Sequence, residues 1–221
     1  MRRLLGVIVT LLMTVPLAVA LGSAPASAAV STICAGSPVP SGWIETNDSW
    51  SSSTCGRPST LVYNVWQISS YDDQAPGASM AVCAAAADQV STPSGWVVTN
   101  DTWAANSCGH PSTLFYNVRT IYQVRATDTS LAICDFSPMP AGFIRTNDTW
   151  SATTCGHPST LFYNSWTATR YDNQPVGTVL SVCSDAPVPT GWAVTAQAWA
   201  TNRCGHPTTN FDNVMSIKRL S

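Results

Sequence analysis

The chain predicts an all-β fold: four tandem, disulfide-stapled repeats of about 50 residues, small β units packed as a compact array or a four-bladed ring. Three observations carry this. A block Cys-Gly-(His/Arg)-Pro-(Ser/Thr)-Thr occurs four times, beginning at Cys55, Cys108, Cys155 and Cys204. An earlier cysteine precedes each block, at Cys34, Cys83, Cys134 and Cys183. Short runs rich in β-branched and aromatic residues recur at matching places, while no segment sustains helical periodicity.

Residues 1–28 read as an export signal. Arg2 and Arg3 precede an apolar run from Leu4 to Leu21, and Ala26-Ser27-Ala28 supplies a small-residue cleavage pattern. Thr10, Thr14 and Pro16 within the run argue against a retained anchor, and the Ala-rich leader is bacterial in character. Residues 29–80, 81–130, 131–180 and 181–221 then form repeats one to four. No later stretch is apolar enough to span a bilayer, so the mature protein is expected to be extracellular.

Each unit opens on its first cysteine and a proline loop, such as Pro38-Val39-Pro40 or Pro187-Val188-Pro189. A short strand beginning with a Gly-aromatic pair follows, then a polar turn, the Cys-Gly block, and a longer strand near 61–69, 114–124, 161–169 and 211–218. A four-residue insertion around 84–89 lengthens the second unit and is expected to be a loop. Residues 48–55 and their equivalents have the composition of one capped helical turn. Asp72 to Gly77 and Asp172 to Gly177 read as turns of hairpins that join one unit's long strand to the next unit's first strand.

Eight cysteines in an exported chain imply four bridges. Pairing within units joins Cys34 to Cys55, Cys83 to Cys108, Cys134 to Cys155 and Cys183 to Cys204. The rival scheme joins Cys55 to Cys83, Cys108 to Cys134 and Cys155 to Cys183, with Cys34 closing on Cys204. The first repeats without a special closing bond and is favoured. Units of this size bury too little apolar surface to stand without such staples.

Comparing the four copies assigns faces. Ile44, Val97, Ile144 and Ala193 are all apolar and predict the core side of the short strand. Glu45, Val98, Arg145 and Val194 mix charge with apolar and predict a partly solvated side, on which Trp43, Trp96, Phe143 and Trp192 would stand either as exposed platforms or as covers for the disulfide. Trp50, Trp103, Trp150 and Trp199 never vary and are expected in the core. Asn64, Asn117, Asn164 and Asn213 recur on an apolar face, the signature of a buried amide bonded to backbone.

The chain has ten Lys and Arg against twelve Asp and Glu, a formal net charge of −2. Without a basic cluster it lacks the counterion release that drives nucleic-acid binding, so nucleic acid is not an expected partner. His110, His157 and His206 each stand alone beside a proline, and Arg57 takes their place in the first unit. This pattern predicts no metal site and no cofactor. Ser112 and Ser159 follow His residues too closely to define a triad, and no unit holds a unique acid, base and nucleophile.

Thr-Asn-Asp-(Ser/Thr)-Trp recurs at residues 46–50, 99–103 and 146–150. Paired amide and carboxylate groups beside an aromatic ring suit a neutral sugar, although the same residues serve turns equally well. The candidate ligand-binding set is therefore Trp43, Asn47, Asp48, Trp96, Asn100, Asp101, Phe143, Asn147, Asp148 and Trp192. In the fourth unit Ala196-Gln197 replaces the Asn-Asp pair. The expected function is secreted, non-enzymatic and multivalent binding of extracellular or cell-wall carbohydrate. A protein-interaction, inhibitor or envelope-structural module, whose partner would be a secreted or surface protein, is the alternative. A small hydrolase, with Asp212 as its mild candidate, is the third.

Overall fold

A computed structural model describes residues 28–56, 63–84, 92–109, 116–156, 163–205 and 212–221. Twelve strands occur among them: β1 (Val30–Cys34), β2 (Trp43–Ser49), β3 (Val65–Ser70), β4 (Ser79–Cys83), β5 (Trp96–Thr102), β6 (Val118–Gln123), β7 (Ser130–Cys134), β8 (Phe143–Thr149), β9 (Ser165–Arg170), β10 (Val179–Cys183), β11 (Trp192–Ala198) and β12 (Val214–Arg219). No helix is present among the described residues, and the expected helical turn is instead the end of β2 followed by bends at 52–55. Arg57, His110, His157, His206, Ser112, Ser159, the start of each long strand, most of the insertion and the leader through residue 27 lie outside the described residues.

The strands form four antiparallel three-stranded sheets, β1-β3-β2, β4-β6-β5, β7-β9-β8 and β10-β12-β11. The last strand of each unit in sequence is thus the central one in space. This arrangement corrects the expected inter-unit hairpins. Both hydrogen-bonding edges of β3 are occupied by β1 and β2, so β4 has no edge of β3 to join and pairs with β6 of its own unit. The linkers cross between units, pinned by the next central strand. Gly77 N donates to Gln123 O at 2.8 Å, and Arg170 Nε donates to Asp128 O at 2.7 Å.

Four bridges close within units, Cys34–Cys55, Cys83–Cys108, Cys134–Cys155 and Cys183–Cys204, with Cα separations of 5.1 to 5.3 Å. Each second cysteine and its following glycine take positive φ, from 53° at Cys108 to 87° at Gly156 and Gly205. Glycine accepts that conformation at no steric cost; the cysteine accepts it because the bridge and the loop around it hold it there.

That loop is held by the recurring asparagine. Asn64 Oδ1 accepts from Ser51 N at 2.8 Å, and its Nδ2 donates to the carbonyls of Ser51, Thr54 and Gly56. Asn117, Asn164 and Asn213 repeat the arrangement on Ala104, Ser151 and Ala200. The sequence expectation of a buried amide bonding to backbone holds in all four units.

Strands β2, β5, β8 and β11 carry a β-bulge at the same threonine, Thr46, Thr99, Thr146 and Thr195. The hydroxyls donate to the carbonyls of Gln67, Thr120, Thr167 and Ser216 at 3.2 to 3.3 Å. The extra residue breaks the simple alternation of faces.

Neighbouring units touch through edge strands: β2 lies against β4, β5 against β7 and β8 against β10, and among the described residues no strand of the fourth sheet contacts one of the first. The units therefore form an open row. The cores lie at the junctions. Ile44 of the first unit packs with Met80, Val82, Trp96, Val98 and Ile121 of the second. Val97 packs likewise with Ile133, Phe143 and Ala168, and Ile144 with Val182, Trp192 and Ile217. The side expected to be partly solvated is covered at Glu45 and Val98, which are both buried, while Arg145 is half-buried and Val194 exposed. One face of this strand meets its own unit and the other meets the next.

Candidate functional site

The Asn-Asp pair follows the bulge on β2, β5 and β8, and the aspartate of each pair, joined on β5 by Asn100, reaches the following unit. Asp48 Oδ2 accepts the backbone N–H of Gly109 at 2.5 Å. Asp148 Oδ1 accepts that of Gly205 at 2.7 Å, and Asp101 Oδ1 that of Gly156. Asn100 Oδ1 accepts from the adjacent Cys155 N at 3.3 Å. The bulged carbonyls of Thr46, Thr99 and Thr146 rest on the sulfurs of Cys108, Cys155 and Cys204 at 3.8 to 4.0 Å.

These contacts give the Asn-Asp pair its work. Two successive backbone N–H groups of a left-handed Cys-Gly turn form a small concentration of positive dipole, and the preceding unit supplies the carboxylate that satisfies it. In the fourth unit Ala193, Ala196 and Gln197 replace the larger aliphatic, Asn and Asp. Along β11, every residue from Val194 to Ala198 is exposed.

The candidate set thus separates. Asp48, Asp101 and Asp148 are buried in junctions and are not presented to solvent. The Oδ1 atoms of Asn47 and Asn147 are buried and make no hydrogen bond among the described residues. Trp96, Phe143 and Trp192 are only 3 to 8% exposed, so they serve as covers rather than platforms, while Trp43 at the start of the row is half-buried.

The tryptophans assigned to the core are instead at the surface: Trp50, Trp103, Trp150 and Trp199 are 40 to 47% exposed. Strand β2 ends at Ser49, opposite Val65, the first residue of β3, so Trp50 extends beyond the ladder with no central strand across from it. The sequence carried a sign of this. Each ring is followed by small or polar residues alone, as in Trp50-Ser51-Ser52-Ser53, with no apolar neighbour to bury it.

At the junction of the third and fourth units a cleft of about 510 Å³ is lined by Phe143, Arg145, Trp166, Tyr171 and the loop Asp185 to Thr190. The Arg145 guanidinium lies 4.8 Å over the Trp166 ring and pairs with Asp185. At the opposite end of the row, burial, together with nearby Asp48, raises the Glu45 carboxyl from its ordinary 4.5 to about 7. Among the described residues no three His, Cys, Asp or Glu gather as a metal site.

No protein-family model, curated protein or solved structure matches the chain. The reading of the site therefore rests on comparison among its own four units. The repeated residues divide in two: the larger aliphatic, Asn and Asp are replaced in the fourth unit, whereas the tryptophan remains.

Proposed function

We propose that this protein is a secreted, non-enzymatic, multivalent binder of extracellular or cell-wall carbohydrate, with Trp50, Trp103, Trp150 and Trp199 as its stacking residues. One observation carries the reading. Trp199 stays in place and exposed in a unit that has lost the larger aliphatic, Asn and Asp used for docking, so the repeated ring serves something other than the junctions. An exposed indole in a polar loop offers a sugar ring its apolar face, and hydroxyl and amide groups beside it offer hydrogen bonds. Four such rings on one body raise avidity by ~10²–10⁴ over a single weak site. Four disulfides fit an oxidising environment, and no helix among the described residues is long and apolar enough to cross a membrane.

Retention on insoluble cell-wall polysaccharide, followed by release with soluble fragments, tests the proposal. Single Trp→Ala variants should weaken retention by about one stacking contact each, ~0.5–1.5 kcal/mol, and the fourfold variant should abolish it. Unchanged retention by the fourfold variant would reject the role of these rings. Complexes with secreted proteins that sugar does not release would favour the protein-interaction alternative.

A further inference from the structure

We propose that the outer edge of the first unit, strand β1 with the Cys34–Cys55 bridge, is a docking surface for an edge strand of another protein that carries the pattern aliphatic-x-Thr-Asn-Asp. The three internal junctions define what such a surface receives: an aliphatic side chain, a bulged threonine carbonyl against the bridge, and a carboxylate on the glycine N–H. Each time the donor is an edge strand, and each time the receiver is the first strand and Cys-Gly turn of the next unit.

The first unit presents the same receiver, and no described residue of the chain fills it. Cys55 and Gly56 have φ of 59° and 78°, matching the three occupied turns. Gly56 N makes no hydrogen bond among the described residues, whereas Gly109, Gly156 and Gly205 are each met by a carboxylate. Cys34 is exposed and Cys55 half-buried, while the other six cysteines are buried. Ile33 and Trp43 are half-exposed, but their counterparts Val82, Ile133, Val182, Trp96, Phe143 and Trp192 are buried.

The far end of the row identifies what does not dock there. Strand β11 presents Ala193, Ala196 and Gln197, so a second copy of this chain offers no bulky aliphatic plug and no carboxylate. An exposed edge strand invites pairing, and the missing donor set keeps this one from extending the row. The receiving edge is more polar than the internal ones, since Ser31 stands where Met80, Leu131 and Leu180 do. That suits a surface that is solvated until a partner strand arrives, as in other recognition by strand edges.

Grafting the donor set onto the tail tests the receiver directly. Ala193→Ile with Ala196→Asn and Gln197→Asp alters only exposed or half-exposed residues, and near-ultraviolet circular dichroism with an intact-disulfide mass would verify folding. At ~100 μM, within the range of a modest interface, the triple variant should associate head to tail by sedimentation and form a one-to-one complex with the unmodified exported protein. In that complex the Gly56 amide should become slow to exchange. Ser31→Arg in the unmodified partner should abolish the complex, and leaving Gln197 unchanged in the graft should weaken it at least several-fold. A folded triple variant that stays monomeric, or that associates without protecting Gly56, would overturn the proposal.

Discussion

The Asp48 carboxylate accepts the Gly109 N–H at 2.5 Å across the boundary between the first two units, so a residue that reads as part of a ligand site is a joint between repeats. The same contact recurs at Asp101 with Gly156 and at Asp148 with Gly205.

Removing one such joint should be felt as lost stability. Asp101→Ala leaves the half-buried Gly156 N–H without its acceptor, and ~1–3 kcal/mol should be lost. Asp101→Asn, which keeps an acceptor oxygen, should lose less. Denaturant titration followed by tryptophan fluorescence checks both values, and no retention of carbohydrate should be lost with them.

The two sets of asparagines should differ sharply. Asn164 satisfies the loop that positions Cys155 through four hydrogen bonds, so Asn164→Ala should cost more than about 2 kcal/mol. Asn47, whose Oδ1 makes no hydrogen bond among the described residues, should tolerate Asn47→Ala with less than about 1 kcal/mol. The same titration compares them, and equal losses would contradict the assigned roles.

Exposure sets the order in which the bridges reduce. Cys34–Cys55 is the bridge open to solvent, and thiol exchange requires access to a sulfur. Mild reductant followed by alkylation and peptide mass analysis should label Cys34 and Cys55 first. The three covered bridges should resist until the chain unfolds, and each opened bridge should remove on the order of 3 kcal/mol.

Glu45 makes stability depend on pH. Its folded carboxyl holds a proton up to about 7, against an ordinary 4.5, so the folded state binds that proton more tightly than the unfolded chain does. The contribution is fully present below pH ~4.5 and is lost as pH rises through ~7. Thermal midpoints measured across this window should fall with rising pH, and Glu45→Gln should flatten that part of the profile.

The unit and its chemistry were legible because each repeat is locally specified. Cysteine spacing favoured the bridges that form, and Asn64 with its three equivalents stood out as buried amides because an apolar face tolerates a polar group only when it is fully bonded. The Trp50 set was misplaced, and the Trp43 set left between two readings, for a different reason. Trp43 and Trp50 both flank one strand, and only the bulge at Thr46, the end of the ladder at Ser49 and the neighbouring unit decide which ring is covered. None of those is a property of the short strand's own composition.

By itself, then, the order of residues determined an all-β chain of four bridged units and favoured pairing of cysteines within each unit, since these depend on contacts made within some fifty residues. Only the tertiary structure decided that the third strand of each unit lies at the centre, that the units form an open row, and that Asn-Asp serves the next repeat while Trp50 and its counterparts face solvent. The physical reason is that burial belongs to a pair of surfaces. A carboxylate beside a tryptophan has the same local chemistry whether it meets a sugar or a backbone N–H, and the unit packed against it makes the difference.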